Sequence, residues 1–139
     1  MHKKTIEEVL QSGKPLTIFT VGKSMEPLLY ERETLVVICH ADRKLKRGEL
    51  PLYKRQDGKY VMHRIIRTCK NTYITRGDNQ FVNETIPMES VIGVVREVHR
   101  RGKVIRTDSF GYKLYVLFWR LSYPVRFLCR KLYARIKRL

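Results

Sequence analysis

The sequence predicts a mainly β protein: a small, coiled, antiparallel β-domain with a short N-terminal helix and a basic amphipathic helical segment at the C-terminus. Three observations lead to this fold class. Short runs of β-branched and aromatic residues alternate with turn residues between positions 16 and 108. A capping-box pattern opens the chain, and apolar residues recur mostly at steps of three and four beyond position 112. We therefore expect a β-domain over 15–110, between a helix in 1–14 and a tail over 111–139.

The N-terminal helix is predicted over residues 5–12. Thr5 and Glu8 form the T-x-x-E pattern, in which each side chain accepts a hydrogen bond from the other residue's backbone N–H. Val9 and Leu10 fall on one face of such a helix and give it an apolar side. The helix therefore has a defined start and a surface that can pack on the β-domain.

The β-domain is predicted from its strand-like runs and the turns between them. We place the strands at 16–21, 34–39, 49–55, 59–67, 72–75, 91–100 and 103–108. Asp57-Gly58 and Arg101-Gly102 stand between neighbouring runs, where residues of this kind favour the tight turn of a hairpin. Short strands joined by such turns predict antiparallel neighbours.

The net charge of +16 is uneven along the chain. All 13 acidic residues lie at or before Asp108, whereas residues 111–139 contain eight lysines and arginines and no acidic residue. A basic excess attracts polyanions, either nucleic acid or an anionic membrane. Because the tail also has an apolar stripe, interrupted at Pro124, we expect residues 112–139 to lie on an anionic membrane surface. The alternative is that the stripe packs on the β-domain or on another protein.

The sequence predicts no membrane span and no signal peptide. The first fourteen residues are too polar for a signal peptide, and the longest apolar run, Leu114 to Trp119, is too short to cross a bilayer. We therefore expect the protein in the cytoplasm or peripherally at a membrane. Cys39, Cys69 and Cys129 lack the spacing of a zinc site, and we expect neither a metal nor a cofactor.

Ser24, in the stretch GKSMEPLL, raises the question of whether it is a turn residue or a nucleophile. A serine hydroxyl attacks a carbonyl only when a neighbouring base removes its proton, and imidazole is the usual base near pH 7. His63 lies in a predicted strand, where partial burial keeps its imidazole neutral. Asp78 or Glu84 are candidates to orient that imidazole. Structural roles stay open for both: Ser24 as a turn or cap residue and His63 as a strand residue.

Five motifs occur in a specific order: GKSMEPLL, LKRGELPLYKR, VMHRII, YITRGDNQFVNE and VIGVV. In this order they resemble the signal peptidase I family in its broad sense, which includes signal peptidases and the self-cleaving repressor proteases of the SOS response. The position of the general base holds a histidine, in MHRII. In this respect the sequence is similar to the branch of the family found in the endoplasmic reticulum, in archaea and in some Gram-positive bacteria. The resemblance implies that Ser24 is the nucleophile, His63 the general base and Asp78 the orienting acid, with Glu84 as an additional acid.

The resemblance also implies a reaction and a binding mode. The enzyme would be a serine endopeptidase that cleaves a secreted or membrane-associated precursor peptide. The substrate would lie extended as an added strand along a sheet edge, and the candidate edges are the residues before Ser24 and those before His63, such as Tyr60, Val61 and Met62. Backbone amides of Ser24 and Met25 would bind the oxyanion.

Two other functions stay open at this point. A nucleic-acid-binding regulator fits the pI of about 10.1 and the similarity to SOS repressors. Residues 1–14 are nevertheless too short for a helix-turn-helix, so we do not expect nucleic acid as a partner. A catalytically inactive relative that only binds peptides is the third reading, and the presence of Ser24, His63 and Asp78 together argues against it. The sequence predicts no particular oligomeric state.

Overall fold

The computed structural model describes residues 3–139, and the mainly β fold class is confirmed. The strands are β1 (Leu16–Phe19), β2 (Leu35–His40), β3 (Pro51–Lys54), β4 (Tyr60–Met62), β5 (Arg64–Thr68), β6 (Thr72–Arg76), β7 (Glu84–Pro87), β8 (Val91–Arg100) and β9 (Lys103–Arg106). The helices are α1 (Ile6–Gln11), α2 (Phe110–Leu121) and α3 (Tyr123–Lys137), with a 3₁₀ turn over Met88–Ser90. The chain divides into two compact units, one ending at Thr107 and one running from Asp108 to Leu139.

The larger sheet is antiparallel and curled. Its strand order is β1-β2-β8-β3-β4, and β9 pairs with β8 beyond the end of β3. The predicted Asp57-Gly58 turn joins β3 to β4, and Gly58 takes a φ of +86°, which glycine adopts without steric cost. Arg101-Gly102 joins β8 to β9 in the same way. Within the described residues β1 and β4 each pair on one side only, so they form two edges of this sheet.

The smaller sheet contains β5, β6 and β7, with β6 in the middle. We predicted one strand over 59–67, but the chain changes sheet within it: β4 belongs to the larger sheet, β5 belongs to the smaller one, and His63 is the junction. Side chains along one strand alternate between two faces. At this junction the alternation breaks, so His63 and Arg64 are both buried, with 7% and 5% of their surface exposed.

β7 is a strand that the sequence did not lead us to expect. Its four residues, Glu84–Pro87, include two types that are uncommon in strands, and they carry no clear alternation. Pairing with β6 defines it: Thr75 lies opposite Glu84 and Thr72 opposite Pro87. This pairing places Glu84 at the start of β7, opposite Thr75 of β6.

α1 packs on the larger sheet through Leu10, which is fully buried. The predicted capping box is present, because the side chains of Thr5 and Glu8 each accept a hydrogen bond from the other's backbone N–H. The hydroxyl of Tyr60 in β4 donates to a carboxylate oxygen of Glu7 at 2.9 Å. The helix is therefore tied to the edge of the sheet that later forms one wall of the cleft.

The C-terminal unit consists of α2 and α3. Ser109 caps α2 by accepting a hydrogen bond from the Tyr112 amide, and Ser122 connects the two helices. Pro124 lies in the first turn of α3, where its missing N–H removes no helical hydrogen bond. The predicted interruption of the tail at this proline is confirmed as a division into two helices. Across residues 3–139, no helix combines the length and apolar composition that crossing a bilayer requires.

Candidate active site

A loop after β1 carries Ser24, and a second turn holds this loop in place. The Ser24 carbonyl accepts a hydrogen bond from the Asn79 amide at 2.8 Å, and the Asn79 side chain donates to the Lys23 carbonyl at 3.1 Å. At Gly77 an added Cβ would lie 2.6 Å from the Ser24 carbonyl oxygen, so the two backbones approach too closely for any other residue. We call residues 77–80 the bracing turn, because they fix the position of the serine.

Ser24 and His63 are brought together although 39 residues separate them in the sequence. The Nε2 atom of His63 lies 3.2 Å from the Oγ atom of Ser24, which is within hydrogen-bond distance. His63 is buried, whereas Ser24 is half-buried. The hydroxyl and the imidazole therefore have the spacing that proton transfer between a nucleophile and a general base requires.

The opposite side of the His63 ring faces a phenol. Nδ1 lies 3.3 Å from the hydroxyl of Tyr53, and this hydroxyl donates to Oε1 of Glu84 at 2.6 Å. A phenol has one proton, and the short bond to a carboxylate uses it, so the Tyr53 oxygen accepts a hydrogen bond from Nδ1. The proton of the neutral imidazole is therefore on Nδ1, and the lone pair of Nε2 faces Ser24. This is the tautomer that a general base needs.

The electrostatics of the site keep each member in a useful protonation state. Burial lowers the pKa of His63 below its ordinary value, and the negative charge of Glu84 opposes this effect. Hydrogen bonds from Arg55 lower the pKa of Glu84, which is therefore a carboxylate at neutral pH. Burial and then the bond to Glu84 raise the pKa of Tyr53 far above its ordinary value, so its hydroxyl stays protonated.

Asp78 corrects our expectation, because the structure pairs it with Arg64 instead of placing it beside Nδ1 of His63. Two bonds of 2.8 Å join the Arg64 guanidinium to the two carboxylate oxygens of Asp78. The side chains are 7% and 2% exposed, and a buried carboxylate needs such a partner. Arg64 provides it because the chain changes sheet at His63 and turns the next side chain inward. Glu84, expected as an additional acid, is the carboxylate that reaches His63.

A cleft of about 390 Å³ lies in front of Ser24 and His63. Two of its walls come from the edge strands of the larger sheet, β1 with the residues after it and β4. The residues expected to bind substrate all line it: Ser24, Met25, Tyr60, Val61 and Met62. The other lining side chains are mostly apolar, among them Ile18, Phe19, Leu29 and Leu52. The two edges thus leave backbone hydrogen-bonding groups along an apolar groove that ends at the serine.

Ser24 and Met25, whose backbone amides are the candidates for an oxyanion site, both line the cleft. Within residues 3–139, the hydrogen bonds that hold this loop use the Ser24 carbonyl and the Glu26 amide, and the amides of Ser24 and Met25 take no part in them. An oxyanion site needs such N–H groups close to the attacked carbonyl. The role of the Ser24 and Met25 amides as oxyanion donors stays a prediction.

Three residues of the site were missed by reasoning from the sequence. Tyr53 and Arg55 lie within the LPLYKR motif and Arg64 within MHRII, but no local pattern sets them apart from ordinary strand residues. Tyr53 is fully buried and bonds a residue of another sheet. Its role depends on how the two sheets meet, which spacing along the chain does not encode.

A scan against protein-family models found no match for this chain, and a search of curated proteins found none either. The reaction class therefore has to be argued from the geometry of the site and the chemistry of its residues.

Proposed function

We propose that this protein is a serine endopeptidase of the signal peptidase type, with Ser24 as nucleophile and His63 as general base. The observation that carries the proposal is the 3.2 Å contact between Ser24 Oγ and His63 Nε2 at the wall of an open cleft. The burial of the imidazole, its Nδ1 partner and the bracing turn all support the same chemistry. A cap or turn role for Ser24 would require none of these.

The substrate in this proposal is an extended peptide. β1 and β4 are sheet edges on two walls of the cleft, and an extended segment can pair with such an edge through main-chain hydrogen bonds. This pairing would bring a scissile carbonyl to Ser24, while side chains of alternate residues would contact the apolar lining. A peptide is therefore a better fit to this groove than a small polar molecule.

The reaction begins when His63 accepts the Ser24 proton on Nε2 as Oγ attacks the carbonyl. Amides of Ser24 and Met25 donate to the oxyanion, where one such donor is typically worth about 3 kcal/mol. The imidazolium keeps the hydrogen bond that its Nδ1–H donates to the Tyr53 oxygen, while the Tyr53 hydroxyl donates its own proton to Glu84. His63 donates its extra proton to the leaving amine, and the acyl-enzyme is hydrolysed by a water that His63 activates.

The signal-peptidase type is proposed from the order of motifs that surround these residues. The motifs S-M-x-P, H-R-I-I and T-x-G-D-N occur in the order of that family. They contain Ser24, His63 and the first residues of the bracing turn, respectively. We propose a secreted or membrane-associated precursor peptide as the substrate, and a cytoplasmic or peripheral membrane location for the protein. Arg55 and Tyr53 would complete the site in this chain by holding Glu84 in place.

The test is cleavage of a proteome-derived peptide library by the full chain, with new termini read by mass spectrometry. The wild type should generate a defined set of termini, and Ser24→Ala and His63→Ala should lower its rate at least about a thousand-fold. Ser90→Ala is a matched control, because Ser90 lies in the 3₁₀ turn. Absence of cleavage by the wild type, or the same termini from Ser24→Ala, would overturn the proposal.

A further inference from the structure

The C-terminal unit carries a continuous row of exposed apolar side chains along both helices. Successive members are three or four residues apart, so they fall on one face of each helix. We call this row the apolar stripe: Leu114, Phe118, Leu121, Val125, Leu128, Leu132, Ile136 and Leu139. The least exposed member, Leu114, still has 48% of its surface in contact with solvent, and the spacing continues unbroken past Ser122.

The charges of the two helices are of one sign. Residues 111–139 contain eight basic side chains and no acidic one. Aromatic rings accompany the cations, as where the Arg126 guanidinium stacks 3.9 Å from the centre of the Trp119 ring and the Lys137 amine lies 5.9 Å from that of Tyr133. Long basic side chains and aromatic rings of this kind are typical of segments at a membrane–water interface.

We propose that α2 and α3 bind the surface of an anionic lipid bilayer, with the apolar stripe in the acyl-chain boundary and the basic side chains among the headgroups. Charge complementarity selects this occupant. A second copy of the tail would bring eight further positive charges against the first eight, and a nucleic acid would leave the stripe against phosphates. An anionic bilayer has an apolar layer beneath a negatively charged one. It therefore matches both the apolar stripe and the basic side chains.

The helices lie along the bilayer in this proposal and do not cross it. α3 has 15 residues and is about 22 Å long at 1.5 Å per residue, which is less than the roughly 30 Å of a hydrocarbon core. Its five basic residues are spread along that length: Arg126, Arg130, Lys131, Arg135 and Lys137; Arg138 follows directly after the helix. An interfacial helix tolerates such charges, whereas a spanning helix does not.

The experiment is co-sedimentation of the full chain with phosphatidylcholine vesicles, with and without phosphatidylglycerol. We expect pelleting with the anionic vesicles only, and less of it as salt is added. Leu128→Ser with Leu132→Ser should lower the partition coefficient at least about ten-fold, since two large apolar side chains leave the stripe. Ala134→Ser, an exposed substitution outside the stripe, should leave it unchanged.

The inference stands apart from the peptidase proposal, because Ser24→Ala must bind vesicles as well as the wild type does. Circular dichroism of the double variant checks that its helices persist. Three results would overturn the inference: no pelleting with anionic vesicles, equal pelleting with neutral ones, or equal binding by the Leu128→Ser, Leu132→Ser variant. Concentration-dependent dimers that disappear in this variant, without vesicle binding, would assign the stripe to a second copy instead.

Discussion

Nδ1 of His63 and Oε1 of Glu84 lie 4.0 Å apart, and the hydroxyl of Tyr53 bridges them. The carboxylate therefore acts on the imidazole through a phenol. The phenol donates its only proton to Glu84, so the Tyr53 oxygen can accept a hydrogen bond from Nδ1 of His63. Glu84 thereby determines the tautomer of His63 without bonding the ring directly. The arrangement makes Tyr53 a positioning residue for the His63 imidazole.

Tyr53→Phe removes the acceptor of the Nδ1 proton without removing the ring. A buried N–H without a partner is disfavoured by roughly 1–3 kcal/mol, so we expect kcat to fall about 10- to 100-fold while KM changes little. Steady-state kinetics on a peptide identified in the library experiment measures this split. NMR of the His63 ring nitrogens should show Nδ1 protonated in the wild type and a mixture of tautomers in the variant.

Tyr73→Phe is the matched control for this substitution. Tyr73 is another buried tyrosine, but its hydroxyl accepts a hydrogen bond from the Leu45 amide at 2.8 Å. We expect it to lower stability and to leave the His63 tautomer unchanged. Equal effects of the two variants on kcat would mean that the Tyr53 hydroxyl supports the fold and not the imidazole.

Glu84→Gln should lower the pKa of His63 further. In the wild type, burial lowers this pKa and the charge of Glu84 partly opposes it, so removal of the charge leaves burial without that opposition. NMR titration of the His63 ring protons measures the change. Glu89→Gln, which removes a charge at an exposed position, should leave the titration where it is. An unchanged His63 pKa in Glu84→Gln would show that the carboxylate does not act on the imidazole.

The pH dependence of kcat/KM should have an acid limb set by His63. As the pH falls through the lowered pKa of this histidine, the imidazole gains a proton and can no longer accept one from Ser24, so activity is lost. The midpoint should therefore lie below about 6.5, the ordinary value for histidine. A midpoint above that value, or a rate that does not change on acidification, would contradict the assignment of His63 as the base.

The sequence was sufficient to predict the mainly β class, the capping box of Thr5 and Glu8, and the hairpin turn at Gly58, because each depends on a few neighbouring residues. It also singled out Ser24 and His63 as partners, since both belong to motifs that occur in a specific order. Glu84 was among the candidates to orient His63, but the Tyr53–Glu84 group through which this carboxylate acts was not predicted. That group comes from β3 and β7, which lie in different sheets, and the meeting of two sheets is a property of the tertiary structure.

Asp78→Asn should lower the free energy of unfolding by about 3–5 kcal/mol, because it leaves the buried guanidinium of Arg64 without its charge partner. The matched comparison is Glu84→Gln, which breaks the ion pair with the 39% exposed side chain of Arg55 but keeps an oxygen that can accept from Tyr53, so it should alter stability by only about 0–1 kcal/mol. Urea denaturation measures both. Combining Asp78→Asn with Arg64→Leu should recover part of the loss, since the unpaired charge is then gone. Similar losses for Asp78→Asn and Glu84→Gln would contradict the structural role of the Asp78–Arg64 pair.

Gly77→Ala tests whether the bracing turn sets the position of the nucleophile. The added methyl group would lie 2.6 Å from the Ser24 carbonyl oxygen, so the serine loop must move away and its 2.8 Å bond from Asn79 must lengthen. A displacement of about 1 Å at a reacting group can lower a rate on the order of 100-fold, so we expect kcat to fall by that factor. Gly111→Ala is the control, because a Cβ at Gly111 meets nothing within 4 Å and its backbone needs no glycine. If Gly77→Ala kept full activity, the distance from Ser24 to His63 would have to be maintained by contacts other than this turn.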